Sequence, residues 1–123
     1  MTSTREVLKS LVAGTPGVLA AGLLGLDGST IDILKLDATF PVETVNQEVA
    51  TLTKLFIYMI QKLQGSVLDD FMMTCDRFTI LAALLRPDCC VTLFLSGKGN
   101  VGKARVQLRR YLPELATSSE AAG

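Results

Sequence analysis

The order of apolar and polar positions divides the amino-terminal part of the chain into a short helix and a hairpin. Residues 3–6 have the spacing of a capping box, and apolar residues at helical intervals follow, which predicts the helix. The almost purely apolar run 18–26 predicts a buried strand. Asp27 and Gly28 then form the dipeptide of a tight turn, so we expect a hairpin with the more alternating strand 30–36.

The middle of the chain predicts a long helix followed by three strands. Pro41 suits the first turn of a helix, and Gly65 marks its expected end. Strand candidates follow at 67–74, 78–85 and 89–96, and the short connections between them require antiparallel pairing. The expected core-facing stripe of the long helix is Val45, Val49, Leu52, Phe56, Met59, Ile60 and Leu63.

The carboxyl-terminal part predicts one more helix, after a glycine-rich loop at 96–102. We expect Pro113 to end this helix, because proline cannot donate a backbone hydrogen bond. Residues 116–123 are small and polar and predict a disordered tail, so we expect a single domain over residues 1–115.

These segments predict an α/β (α+β) fold in three layers. The first, fourth and fifth strands are apolar on both faces and need cover on both sides. Charged residues in the second strand (Asp32, Lys35) and the third (Asp69, Asp70) place those strands at the edges of the sheet. We expect an α/β/α sandwich of topology α-β-β-α-β-β-β-α. Its antiparallel sheet should have the order 2-1-5-4-3, with the long helix on one face and the terminal helices on the other.

The long helix carries more apolar residues than one core-facing stripe requires. Leu55, Ile57 and Tyr58 extend the apolar run onto flanks that water should wet. Two interpretations follow: deeper burial within the subunit, or contact with a second copy or another partner. The third strand would supply an edge for sheet pairing. The predicted dimer or partner interface is Leu55, Ile57, Tyr58, Met59, Phe71 and Met72.

Composition narrows the function classes. The sequence contains no His, which removes the usual general base and the usual zinc partner of Cys, so we expect no catalytic residue, no cofactor and no metal. Lys and Arg total 12, as do Asp and Glu, which disfavours nucleic acid as a partner. Because no stretch resembles a secretory signal or a bilayer span, we expect a cytoplasmic protein without membrane insertion.

The sulfur-containing residues are expected to fill the core. The adjacent Cys89 and Cys90 lack the spacing of a redox pair, so core packing of reduced thiols is the favoured interpretation. Met59, Met72 and Met73 are likewise expected in the core, with an adaptable binding surface as the alternative.

Three groups of residues are candidates for binding charged ligands. Residues 97–104 match the spacing of a phosphate-binding loop, but Ala104 stands where Ser or Thr would hold magnesium, so we interpret them as a flexible loop that leads into the helix. Glu43 and Glu48 suit the start of the long helix and are also candidates for partner contact. A basic cluster is either a solvated helix face or a site for an acidic partner, and Arg105 and Arg109 are its candidate partner-facing charges. The cluster comprises Lys98, Lys103, Arg105, Arg109 and Arg110.

Over residues 3–115 the order of elements resembles the Roadblock/dynein light-chain superfamily. The segments Thr-Pro-Gly-Val at 15–18 and Gly-Leu-Asp-Gly-Ser-Thr at 25–30 look like the opening hairpin of that family. The segment Gly-Asn-Val-Gly-Lys-Ala-Arg-Val-Gln-Leu-Arg-Arg at 99–110 looks like its closing loop and helix. A stand-alone chain of this size is most similar to the prokaryotic members, and the profilin-like fold of the family agrees with the predicted topology.

The resemblance implies a protein that dimerises through its long helix and third strand and that binds Ras-like small GTPases, or scaffolds such regulators or dynein motor subunits. It implies no catalytic residues. The leading hypothesis is therefore a non-catalytic homodimeric platform that binds and regulates a Ras-like small GTPase, for example as a GTPase-activating protein in signalling; its dimer partner is itself or a paralogue. The alternatives are a structural adaptor that binds its partners independently of nucleotide, and a phosphate-binding enzyme built on the glycine-rich loop.

Overall fold

The computed structural model describes residues 3–97 and 99–118. The five strands form one antiparallel sheet in the order β2-β1-β5-β4-β3, which confirms the predicted strand order. The elements in chain order are α1 (Thr4–Ala13), β1 (Val18–Gly25), β2 (Thr30–Lys35), α2 (Val42–Ile60), β3 (Asp70–Thr74), β4 (Phe78–Arg86), β5 (Cys89–Ser96) and α3 (Val101–Ala116).

Two apolar layers, one on each face of the sheet, hold the helices in place. On one face α1 and α3 pack against the sheet through fully buried residues such as Leu8, Leu93 and Leu108. On the other face α2 covers a second cluster that includes Val49 and Phe94. The predicted α/β/α sandwich, with the long helix alone on its face, is therefore confirmed.

Local signals set several of the element boundaries. The Ser3 side chain accepts a hydrogen bond from the Glu6 amide at 3.1 Å, so the predicted cap does begin α1. At the β1–β2 turn, Gly28 has φ +93°, a conformation that glycine adopts without strain. The Asp27 carboxylate accepts hydrogen bonds there from the amide and hydroxyl of Ser29, which lower the pKa of Asp27.

Three predicted boundaries were wrong. Helix α2 ends at Ile60 rather than near Gly65, and β3 begins at Asp70 rather than at residue 67. Helix α3 continues through Pro113 to Ala116. Pro113 lies on the exposed side of α3, where water can satisfy the carbonyl that loses its helical partner.

The end of the described chain returns to its beginning. Ser118 is buried, and its hydroxyl lies 2.6 Å from the hydroxyl of Thr4. The segment predicted as a tail, 116–123, thus begins with the end of α3 and this contact, and residues 119–123 lie outside the described residues.

The two outer strands differ in what lies against them. At β2, a guanidinium nitrogen of Arg5 donates to the Asp32 carboxylate at 2.6 Å and to the Ile33 carbonyl at 2.8 Å. A side chain of α1 therefore occupies part of the β2 edge. Strand β3, at the opposite margin of the sheet, carries half-exposed methionines instead.

Candidate interaction surface

Helix α2 rests on the sheet through a narrow and partly polar face. A Cβ atom added to Gly22 of β1 would lie 2.8 Å from Asn46 Nδ2 and 2.9 Å from Thr92 Oγ1, so the absence of a side chain at Gly22 lets the helix approach the sheet. The Thr92 hydroxyl donates to the Asn46 side-chain carbonyl at 3.2 Å. The buried residues of α2 are Val42, Asn46, Val49, Ala50 and Thr53.

A second apolar stripe of α2 faces water. Leu52, Leu55 and Met59 are 37%, 56% and 53% exposed, and the charged residues Glu48 and Lys62 lie at its two ends. These five residues are spaced by four, three, four and three positions, the pattern by which one helix packs along another. We call them the outer seam. The predicted core stripe was therefore wrong at Leu52 and Met59, as it was at Leu63, which is 60% exposed.

Strand β3 lies beside this helix surface. The Phe71 ring packs edge-on against Phe56 of α2, with 4.7 Å between the ring centroids. Because side chains alternate along a strand, Met73 shares the α2 face with Phe71, whereas Met72 lies on the opposite face with Asp70. The outer seam and the outer edge of β3 are thus neighbouring parts of one partly apolar surface.

The predicted interface residues differ in where they lie. Leu55 and Met59 belong to the outer seam, and Phe71 and Met72 to β3. Tyr58 is 60% exposed and its ring lies beneath the Lys62 ammonium, 4.8 Å from Nζ. Ile57 points toward the core instead and packs against the α2-side cluster. Sequence analysis missed Leu52 and Met73 as members of this surface; the spacing of Leu52 from Leu55 and Met59 was the available signal.

The three internal methionines are on the surface. Met59, Met72 and Met73 are each about half exposed, at 53%, 49% and 45%. Their expected place in the core was therefore wrong, because the helix face and the sheet edge that carry them are not covered by another element of the described chain.

The basic residues of α3 are joined to β3 by an acid. Arg105 donates to Asp70 Oδ1 at 3.0 Å, and Arg109 donates to Asp70 Oδ2 at 3.1 Å. The Asp70 side chain is only 11% exposed, whereas both arginine side chains are about half exposed. These two candidate partner-facing charges thus hold α3 to the first residue of β3, while Lys98 of the same cluster lies outside the described residues.

The two candidate acids on α2 have different surroundings. Glu43 accepts from Lys35 of β2, with 2.9 Å between Nζ and Oε1, and this hydrogen bond lowers the pKa of Glu43. Glu48 is exposed and stands at the amino-terminal end of the outer seam.

The described residues of the glycine-rich segment 97–104 make contacts within the chain. The Gly97 amide donates to the Arg77 carbonyl at 2.7 Å, and the Lys103 amide donates to the Asn100 side chain at 3.0 Å, which caps α3. A phosphate cradle needs such amides directed at the ligand, so this arrangement favours a structural loop.

The adjacent cysteines pack in the core, as predicted. Cys89 and Cys90 are buried, and burial raises the pKa of both thiols, that of Cys90 to about 12. Cys75, after β3, is exposed.

Neither a membrane span nor a metal site is found in the part of the chain that the structure describes. No helix within residues 3–97 and 99–118 has both the length and the apolar character needed to cross a bilayer. Over the same residues, no three Cys, Asp or Glu side chains are grouped so that they could hold a metal ion.

Comparison with solved structures identifies proteins of the same fold, although no protein-family model and no curated protein sequence matches the chain. Gliding protein MglB from Thermus thermophilus is similar with a TM-score of 0.82 at 19% identity, over 92% of this chain and 85% of that one. A Roadblock/LC7 domain from Streptomyces avermitilis has a TM-score of 0.81 at 13% identity, over 93% and 95%. MglC from Myxococcus xanthus has a TM-score of 0.66 at 27% identity, over 93% and 97%.

Proposed function

Because the chain has the Roadblock fold, with its profilin-like topology, we propose that it is a non-catalytic homodimeric platform that binds and regulates a Ras-like small GTPase. The observation that carries the proposal is the exposed outer seam of α2 beside the open edge of β3. An exposed apolar surface of this kind marks an interaction site in a soluble protein.

Dimerisation follows from the cost of leaving this surface in water. Burying a large apolar side chain contributes about 1.5–3 kcal/mol, and Leu52, Leu55 and Met59 are all available on one helix. Strand β3 adds an edge whose backbone groups can pair with a second β3. A two-fold contact then buries each of these features twice, once on each copy.

The GTPase part of the proposal rests on the resemblance to the Roadblock superfamily, supported by the shared fold. Two α2 helices side by side would form one continuous platform for a partner. With no His in the sequence, we expect the protein to act by holding the switch segments of the GTPase in one conformation, not by supplying a general base.

The dimer is tested by placing a charge on the outer seam. Replacing Met59 with Glu should bury a carboxylate in the interface and weaken self-association by at least about 2 kcal/mol, or roughly 30-fold in Kd. Gln47→Glu is the matched control, because it adds the same charge on the exposed side of α2 outside the seam. Sedimentation equilibrium should give the parent and Gln47→Glu twice the 13.2 kDa chain mass, and Met59→Glu a mass near that of one chain. A monomeric parent would contradict the proposal.

GTPase binding is tested with a panel of purified Ras-like GTPases, each loaded with GDP or with a non-hydrolysable GTP analogue. We expect one GTPase to bind the dimer preferentially in one nucleotide state, and Met59→Glu to weaken that binding. Equal binding in both states would favour the structural adaptor instead, and no binding across the panel would refute the GTPase part of the proposal.

A further inference from the structure

We propose that the outer seam is self-complementary and selects a second copy of this chain in an antiparallel register, with Glu48 of one copy facing Lys62 of the other. This inference rests on the dimer of the proposed function and deepens it, since it decides between an identical partner and a paralogue. It depends on three features: the direction of α2 at the sheet edge, the centre of the seam and the charges at its ends.

The direction of the two helices follows from the sheet. When two β3 strands pair antiparallel, the two-fold axis between them stands perpendicular to the sheet. Such an axis keeps both α2 helices on the same face and reverses their directions. Because all strand pairs within the subunit are antiparallel, an added β3 would continue the same pattern.

The centre of the seam lies close to the expected axis. Phe56 contacts Phe71, the second of the five residues of β3, so the middle of the seam stands above the β3 edge. Leu55 is the central residue of the seam, with Glu48 seven positions before it and Lys62 seven positions after it. An antiparallel pair centred at Leu55 therefore brings Glu48 of each copy opposite Lys62 of the other.

Along the chain the seam consists of an acid, three apolar residues and a base. Two seams that run in opposite directions therefore place the acid of each copy beside the base of the other. In a parallel pair Glu48 would face Glu48 and Lys62 would face Lys62, and like charges repel. Antiparallel pairing places an ion pair at each end of the apolar contact and is favoured over the parallel arrangement.

The position of Lys62 agrees with this role. Lys62 lies in the turn after α2, where its amide donates to the Met59 carbonyl at 3.2 Å, so the helical path continues to it. Its ammonium lies over the Tyr58 ring, which keeps it on the outer flank of the helix. Glu48 is exposed as well, so both charges can meet at the rim of the interface.

The register is tested by exchanging the charges. In Glu48→Lys all four end positions of the pair are basic, and in Lys62→Glu all four are acidic, so each variant alone should dimerise roughly tenfold more weakly than the parent or worse. An equimolar mixture of the two should form heterodimers with near-parental affinity. The double variant Glu48→Lys/Lys62→Glu should also dimerise like the parent. Lys54→Glu is the matched control, because Lys54 is an exposed lysine of α2 outside the seam.

The outcomes separate this inference from the dimer itself. Self-association is measured by sedimentation, and heterodimers by fluorescence transfer between differently labelled variants. If the parent dimerises but the single variants associate as tightly as the parent, or if the mixture is no tighter than either variant alone, the register is wrong and the dimer stands. If the parent is monomeric, dimer and register both fail. A tight parental complex with a paralogue and none with itself would overturn self-selection.

Discussion

The close packing of α2 on the sheet predicts that Gly22→Ala destabilises the protein. A Cβ at Gly22 would lie 2.8 Å from Asn46 Nδ2 and 2.9 Å from Thr92 Oγ1, so each atom would have to retreat by roughly 0.5 Å to reach ordinary contact. Asn46 and Thr92 are 2% and 0% exposed and bonded to each other, so neither can turn out into water. Overpacking of this kind costs about 1–3 kcal/mol, and a lost hydrogen bond adds about 1 kcal/mol.

The opposing effect is smaller. Alanine restricts the unfolded chain more than glycine does, which raises the free energy of unfolding by about 0.4–1 kcal/mol where alanine can adopt the native backbone conformation. Gly22 is such a position because its φ is not positive. We therefore expect the free energy of unfolding to fall by about 1–3 kcal/mol and the Tm to fall by roughly 5–10 °C. Urea and thermal unfolding followed by circular dichroism would measure both quantities.

Two further variants make this test specific. Adding Asn46→Ala to Gly22→Ala removes the nearest clashing atom, so the double variant should be more stable than the sum of the single changes by about 1 kcal/mol. Gly102→Ala is the glycine control: among the described residues its Cβ would meet only the Asn100 side-chain oxygen, at 3.5 Å, and alanine should stabilise the first turn of α3. A Gly22→Ala protein as stable as the parent would refute the argument that this glycine sets the height of α2.

Two other predictions concern the thiols and the α3–β3 contact. A thiol reagent at pH 8 should modify the exposed Cys75 rapidly and the buried Cys89 and Cys90 only on unfolding, and rapid labelling of all three thiols would contradict this expectation. Because burial raises the pKa of Cys90 from 9.0 to about 12, the contribution of this thiol to the free energy of unfolding should be full below about pH 9 and decline toward pH 12. Asp70→Asn should weaken the hydrogen bonds from Arg105 and Arg109 and lower the free energy of unfolding, measured in urea, by about 1 kcal/mol. The effect should be smaller than for a buried ion pair because both arginines are half exposed. Asp69→Asn makes the same change at the exposed neighbouring position and is the control, and equal effects of the two changes would count against the role of Asp70.

The order of the sheet could be predicted because its signals are local or follow from pattern. The Asp27-Gly28 turn fixes the first hairpin, and short connections fix the meander of β3, β4 and β5. Strands that are apolar on both faces need cover on both sides, and this requirement placed β1, β5 and β4 inside the sheet.

The face by which α2 meets the sheet could not be predicted. Its buried side includes the polar residues Asn46 and Thr53. Asn46 lies over Gly22, and its side-chain carbonyl accepts a hydrogen bond from Thr92. The Thr53 hydroxyl donates to the Val49 carbonyl of the same helix at 2.7 Å. Hydrophobic periodicity assigned Leu52 and Met59 to the core instead, although they face water. A helix with two apolar sides does not reveal from one sequence which side belongs to its own subunit.

The contrast between the two margins of the sheet bears on how far assembly can proceed. Open-ended growth into fibres requires two unpaired sheet edges on every subunit. In this protein the Arg5 side chain occupies the Ile33 carbonyl at one of the two edges, that of β2. In the proposed dimer the β3 edges of the two copies pair with each other, so neither copy keeps an unpaired β3 edge. In that proposed dimer both remaining outer strands would be β2, where Arg5 occupies the Ile33 carbonyl, so we expect a concentrated solution to contain dimers and not filaments.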